Sequence, residues 1–300
     1  MLLVTGGAGF IGSNLVASLN DAGHADVVVN DTLGSNGKWR NLGKRQLADV
    51  VPPGQLMQWL STRKLDAVFH LGAISDTTAT DGDLVLETNF RLSINLLDWC
   101  TATRTPFIYA SSAATYGDGS GDFDDDWSAA ALRRLRPMNL YGFSKHLFDL
   151  AMVERYSKGS KLPPQWAGLK FFNVFGPNEY HKGEMKSLIA KHFDAAKTGK
   201  PVPLFKSHRS DIADDEQKRD FIYVDDAVAV MRWLFGNAGC IRHFQRGDES
   251  GPQLPRSDIG HVLRARPSSG HPIRRDASRH SEAISVFYTS ENRKPATSRI

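Results

Sequence analysis

Apolar positions along this chain alternate between two periods. Leu2–Thr5 is a short apolar run, Ile11–Ala22 is amphipathic at helical spacing, and Asp26–Asn30 centres on Val27-Val28-Val29. Leu56–Arg63 returns to a helical pattern, followed by apolar Ala67–His70, a long helical stretch Leu84–Thr101 and the apolar run Phe107–Ala110. Met138–Tyr156 is again helical and Ala167–Phe172 strand-like. Short continuous apolar runs bounded by turn residues predict buried strands, and the 3.6-residue period predicts amphipathic helices. Their alternation predicts an α/β fold: a doubly wound parallel sheet with helices on both faces. Beyond residue 175 the pattern loosens around Gly176-Pro177, Gly183, Gly199 and Pro201–Pro203, as expected of binding loops in a smaller C-terminal lobe.

From Cys240 onward periodicity fades and Arg, Ser, Pro and His crowd in. Residues 241–300 hold 11 basic and 6 acidic residues, a net +5 against +4 for the whole chain, which leaves −1 for residues 1–240. The sequence pI of 9.0 therefore belongs to the tail, and the globular part has no footprint for a nucleic-acid backbone. With 41% hydrophobic and 23% charged residues the composition is that of a soluble globular protein. No apolar run of transmembrane length occurs, and Met1–Gly6 runs straight into a strand and turn, unlike a signal peptide. Two cysteines, Cys100 and Cys240, match no disulfide or metal pattern. The expectation is a cytoplasmic protein with no metal and no membrane or nucleic-acid partner.

Thr5-Gly6-Gly7-Ala8-Gly9-Phe10-Ile11-Gly12 follows a strand and opens a helix. Gly6, Gly9 and Gly12 allow a tight turn and close approach of a pyrophosphate to free N–H groups at the helix N-terminus, the Rossmann-type arrangement. Asp31 ends the second strand about 20 residues later, where a ribose hydroxyl would be held. Asp31 alone suggests NAD; Lys38 in the same loop could neutralise the 2′-phosphate of NADP, or be a solvated surface charge. Asp49 fits an adenine contact or a loop cap equally. Leu71-Gly72-Ala73 should pass close to the cofactor, and Asn89 is either a buried linchpin or an exposed helical Asn.

Tyr141-Gly142-Phe143-Ser144-Lys145 places Tyr and Lys on one helical face. A neighbouring ammonium favours tyrosinate and would lower the Tyr141 pKa, making it an acid/base near neutrality. Ser111-Ser112-Ala113-Ala114-Thr115-Tyr116 follows a strand about 30 residues earlier, and a hydroxyl there could hydrogen-bond a substrate oxygen as it becomes a carbonyl.

On these residues the chain resembles the ADP-glyceromanno-heptose 6-epimerase family of extended short-chain dehydrogenases. The resemblance is most specific at Ala110–Gly117 and at Phe172–Gly183, which ends in His181-Lys182-Gly183, and covers about residues 1–239. It implies C6″ epimerisation of an ADP-heptose for lipopolysaccharide cores, with NADP (or NAD) tightly bound, in a homo-oligomer, a pentamer in the family. Tyr141 would be one acid/base, Lys145 its partner, Ser112 the polarising hydroxyl and Lys182 a second acid/base on the opposite side. Cofactor contacts would fall on Gly6, Gly9, Phe10, Ile11, Gly12, Asp31, Thr32, Lys38, Asp49, Leu71, Gly72, Ala73, Ile74, Ser75, Asn89, Lys145 and Val174. Substrate contacts would fall on Ser112, Asn173, Lys182, Phe205, Lys206, Ser207, His208 and Arg219. Glu184 and Lys191 also stand at contact positions, where family members carry a small residue and His. The alternatives are another nucleotide-sugar epimerase or dehydratase, disfavoured by His181-Lys182 and by Ala113-Ala114 after the serine, or a cofactor-binding remnant.

These features divide the chain into a dinucleotide-binding domain (1–172), a partial substrate lobe (173–239), within which the resemblance implies that the chain returns to the dinucleotide-binding sheet, and an anomalous tail (240–300). Read one base later, codon degeneracy permits the family-like strand Val-Phe-Gly-Ile-Phe-Asn-Val-Gly-Thr in place of Cys240–Asp248. It permits two further family-like segments, in family order, in place of His261–Arg266 and Ile284–Thr289. The tail thus reads as out of frame from about residue 239. It should be irregular and exposed, and should leave the apolar groups of Phe221–Val224 and Val228–Phe235 underpacked.

Overall fold

Six parallel strands form the centre of the molecule in a computed structural model that describes residues 1–119, 123, 126–200 and 220–237, and the backbone of 284–290. They are β1 (Leu2–Thr5), β2 (Val27–Asn30), β3 (Asp49–Val51), β4 (Ala67–His70), β5 (Phe107–Ser112) and β6 (Gln165–Phe171), in the order β3-β2-β1-β4-β5-β6. Successive side chains of a strand point to opposite faces. Hence Val4, Val29, Phe69 and Ile108 join one core with α1 (Phe10–Asp21) and α8 (Val224–Gly236). Leu3, Val28, Val68 and Phe107 join the other, with Leu56 and Leu60 of α2 (Leu56–Leu60), Leu96 and Leu97 of α4 (Leu92–Thr103) and Phe148 of α6 (Leu140–Ser157). Burial on both faces is why these strands read as continuous apolar runs. The order reverses at β1, so the loops after β1 and β4 open a crevice at the carboxyl ends of the strands.

Several expectations are corrected. The single helix over Leu84–Thr101 is α3 (Gly82–Leu86), a π-helical turn (Glu87–Arg91) and α4. Strand β3 was not foreseen, because two of its three residues, Asp49 and Val50, are exposed. Helix α8 is not underpacked: Val224, Ala227, Met231 and Leu234 are fully buried, because α8 covers the dinucleotide-domain sheet beside α1 instead of depending on the C-terminal lobe. Phe221 and Tyr223, in β8 (Phe221–Tyr223), remain exposed. Strand β8 pairs in parallel with β7 (Asn173–Phe175) in a separate two-stranded sheet. Within the tail, Ile284–Ser290 forms a regular strand, β9, antiparallel to β6, so the expectation of wholly irregular structure fails for these seven residues. Ile-Ser-Val-Phe-Tyr-Thr-Ser is rich in β-branched and aromatic residues, and β6 otherwise offers an unpaired edge. The rest of 238–300 lies outside the described residues.

Candidate functional site

The glycine turn between β1 and α1 is defined by contacts that exclude a side chain. A Cβ on Gly6, whose φ is +68°, would lie 2.7 Å from the backbone nitrogen of Gly72, and one on Gly12 would lie 2.2 Å from the Gly6 carbonyl oxygen. Helix α1 begins after Gly9 without a side-chain cap, so its first N–H groups face the crevice for an anionic ligand. Asp31 closes the far side: one carboxylate oxygen accepts the Ala8 N–H at 2.9 Å and the other the Lys38 ammonium at 2.7 Å. The cradle fits the pyrophosphate and ribose of a dinucleotide.

Behind this cradle runs a buried hydrogen-bond chain. The Thr5 hydroxyl oxygen accepts the Gly72 N–H at 3.0 Å and lies 2.7 Å from His70 Nδ1; His70 Nε2 lies 2.8 Å from the Ser93 hydroxyl. Ser93 donates its proton to the Asn89 carbonyl, so His70 donates from Nε2 and its Nδ1 accepts from Thr5. Burial, with the Lys145 ammonium adding to it, pushes the His70 pKa down to about 3 and keeps the ring neutral. Asn89 itself is fully buried in the π turn. Its amide clamps Ile74 from both sides, at 2.8 and 2.9 Å, and donates to Ser144 at 2.9 Å.

Asn139 caps α6 by accepting the Gly142 N–H, which starts the helix so that Tyr141 and Lys145 face the end of β5. There the Ser112 hydroxyl accepts the Ala114 N–H at 3.1 Å and, with Tyr141, lines the cavity. Lys145 donates to the Ala110 carbonyl at 2.8 Å. Burial pulls its pKa down to about 8, against the opposing pull of Asp149. The Tyr141 pKa is raised, a departure from the expectation: burial dominates, the Ser112 hydroxyl opposes it and the Asp149 charge adds to it. Lys182 sits in the turn Tyr180–Met185 with its ammonium 5.4 Å from the Phe10 ring centroid. Burial lowers its pKa and Glu179 opposes the shift.

A single cavity of about 770 Å³ joins these parts. It is lined by Gly6, Gly9, Phe10, Ile11, Gly12, Asp31, Thr32, Lys38, the loop Leu71, Gly72, Ala73, Ile74 and Ser75, together with Ser112, Tyr141, Lys145, Asn173, Val174 and Lys182. Asn89 stands behind the wall. Asp49 does not line the cavity; its carboxylate accepts from Trp59 Nε1 at 2.9 Å and from Val50 N. Glu184 and Lys191 also lie off the lining and pair with each other at 3.2 Å, the Glu184 side chain 98% exposed. Phe205, Lys206, Ser207, His208 and Arg219 lie outside the described residues. The cavity wall adds Asn36, His181, Lys186 and Ser187, which periodicity and spacing did not single out. No helix among the described residues is long and apolar enough to cross a membrane.

A glycine cradle at a strand-order switch point, with a Tyr-x-x-x-Lys helix and a strand-end serine beside it, defines a nicotinamide-dinucleotide enzyme of the short-chain dehydrogenase type. The chain belongs to the NAD dependent epimerase/dehydratase family, which matches residues 2–245. It is 49% identical over 244 residues to an ADP-L-glycero-D-manno-heptose-6-epimerase of Nitratidesulfovibrio vulgaris, covering 80% of this chain and 73% of the relative. It is 43% identical over 241 residues to the enzyme of that name from Fusobacterium nucleatum, covering 79% and 71%. Among solved structures it is similar to Helicobacter pylori ADP-L-glycero-D-manno-heptose-6-epimerase, with 32% identity and a TM-score of 0.64 over 78% of this chain and 73% of the other.

Proposed function

We propose that the chain epimerises C6″ of ADP-D-glycero-D-manno-heptose to give ADP-L-glycero-D-manno-heptose, through a transient keto sugar and with tightly bound NADP. The observation that carries this reading is the presence of Lys182 in the same cavity as Ser112, Tyr141 and Lys145. Inverting one carbon calls for proton-handling groups on both sides of it, and Lys182 is a second such group with a depressed pKa. The dinucleotide supplies reversible hydride transfer when bound. Tyr141 exchanges the proton of the sugar oxygen, Ser112 hydrogen-bonds that oxygen, and Lys145 lends positive charge behind the phenol. Asn173 lines the sugar end, and Phe205, Lys206, Ser207, His208 and Arg219 complete the nucleotide-sugar contacts. Tyr141→Phe tests the reading: turnover should fall about 10²–10⁴-fold with the fold intact. Near-normal epimerisation would remove Tyr141 from the role.

NADP is preferred over NAD because both Asp31 carboxylate oxygens are already engaged, one by a backbone N–H and one by Lys38. The carboxylate's charge is thereby compensated at the ribose, and Lys38 is at hand for a 2′-phosphate.

The tail is proposed to be out of frame from about residue 239, supported by the alignment to the Nitratidesulfovibrio vulgaris relative, which spans 244 residues and only 73% of that protein. In that case the chain as written is a weakly active or cofactor-binding form. Resequencing around codon 239, and comparing the turnover of the chain with and without the restored frame, decides it. Oligomerisation, a pentamer by resemblance, and a cytoplasmic location complete the proposal; sedimentation of the purified chain tests the first.

A further inference from the structure

Asp149 and Lys170 are the most deeply buried charges of the described residues that the reaction above does not use. Lys170, one residue from the carboxyl end of β6, is 0% exposed and Asp149, two turns after Tyr141 on α6, is 2% exposed. They meet at 2.6 Å. A buried pair is weak grounds for stability, since apolar residues of similar volume often serve as well or better. Its contacts suggest a different use. The Lys170 ammonium donates to the Thr115 hydroxyl at 2.6 Å, and Thr115 donates onward to the Ser112 carbonyl at 2.8 Å. Asp149 accepts the Ser111 hydroxyl at 2.7 Å and the Tyr109 phenol at 3.3 Å. The pair thus holds the strand end and turn that carry Ser112 from both sides.

We propose that Asp149 and Lys170 are a positioning pair for the catalytic cluster, fixing the Ser112 turn through Thr115 and Ser111 while presenting Tyr141 and Lys145 with a background of zero net charge. The inference rests on the roles given to Tyr141 and Lys145 above. Neither residue itself lines the cavity, although Asp149 holds the lining residue Ser111. Asp149 nonetheless acts on the cluster electrostatically, raising the pKa values of Tyr141 and Lys145. The other groups facing the pair are Tyr116, whose ring centroid lies 5.1 Å from the Lys170 ammonium, His146 on α6, held low by burial and by Lys170 and Arg136 while Asp149 opposes, and Tyr109 on β5, raised by burial and by Asp149. His70 on β4 faces Lys145 and is neutral at every pH concerned.

Opposite substitutions separate positioning from simple stability. Lys170→Met leaves the Asp149 carboxylate, which favours protonated Lys145 and disfavours tyrosinate, so the acid limb of the turnover profile should move up by about one pH unit. Asp149→Asn leaves the Lys170 ammonium, and the limb should move down by a similar amount. Lys170→Arg should keep the wild-type limb. The double variant Lys170→Met/Asp149→Asn carries no buried charge; it should restore the limb while keeping kcat about tenfold or more below wild type with KM little changed, because the Thr115 clamp is gone. Tyrosinate absorbance, taken as the step lost in Tyr141→Phe, follows the same ionisation without turnover. Opposite shifts of that step with an unmoved turnover limb would uphold the pair and overturn the catalytic role of Tyr141. Shifts of the same sign, or none by either readout, would overturn the pair. Should Lys170→Met fail to fold, Asp149→Asn and the double variant separate the same outcomes.

Discussion

His70 makes the molecule sensitive to mild acid in a way that can be worked out from its surroundings. Its ring is buried between Thr5 and Ser93, with one nitrogen accepting and the other donating, so a second ring proton would displace the hydrogen bond that Thr5 donates to Nδ1. Burial and the Lys145 ammonium take its pKa from 6.5 to about 3. A folded-state pKa below the unfolded value means that the unfolded chain binds the extra proton, so this contribution to stability is complete above about pH 6.5 and is lost as pH falls toward 3. Two pH units below the ordinary value the loss is about 2.7 kcal/mol, a large fraction of the net stability of a typical domain. Urea unfolding midpoints measured at half-unit steps through this range, for the wild type and for His70→Gln, isolate the effect. The variant should be weaker near neutrality, yet its stability should fall with pH by about 2 kcal/mol less than wild type over the same interval. Parallel pH profiles for the two proteins would show that the ring is already charged in the folded state, or that it is not enclosed as described.

Three further outcomes follow from the same geometry. Lys38→Ala should lower the NADP/NAD affinity ratio measured by quenching of protein fluorescence; an unchanged ratio would make Lys38 only the partner of Asp31. Gly12→Ala should abolish dinucleotide binding and destabilise the fold by about 1–3 kcal/mol, since its Cβ would meet the Gly6 carbonyl at 2.2 Å, and calorimetry with and without NADP separates the two losses. Lys182→Met should slow epimerisation while oxidation at the Tyr141 side persists in single-turnover cofactor absorbance; equal slowing of both would make Lys182 a binding group alone.

Alternating apolar runs made most of the sheet legible, because a strand buried on both faces has to be apolar throughout, as Val27-Val28-Val29 is. Strand β3 escaped that rule at the sheet edge, where Asp49 and Val50 face solvent. Asp49 drew attention as a loop acid, whereas its carboxylate holds Trp59. The Gly-rich turn and the Tyr-x-x-x-Lys helix were readable because their backbone and spacing requirements are local. Lys182 was not, since a turn lysine has no periodicity, and only the residues around it marked it out. Asp149 and Lys170 were hidden for the opposite reason: in a linear pattern each looks like a solvated charge, and only the packing of α6 on β5 and β6 turns them into partners. Glu184 and Lys191 stood at contact positions by resemblance alone, and the turn and α7 (Leu188–Lys197) bring them together as an ion pair off the cavity lining.

The π-helical turn at Glu87–Arg91 fixes the chain length of this region. Asn89 has to face the Ile74 loop and Ser144, while Leu96, Leu97 and Cys100 a few residues later have to face the sheet. A π turn holds one residue more than the α-helix it interrupts, and that surplus sets the phase between the two faces. Removing any one residue from 87 to 91 would restore a regular helix and leave α3 and α4 in phase, so the core face would survive, but the amide at position 89 would turn away from the Ile74 loop and Ser144. A single deletion here is therefore expected to cost the clamp on the cavity loop rather than the fold.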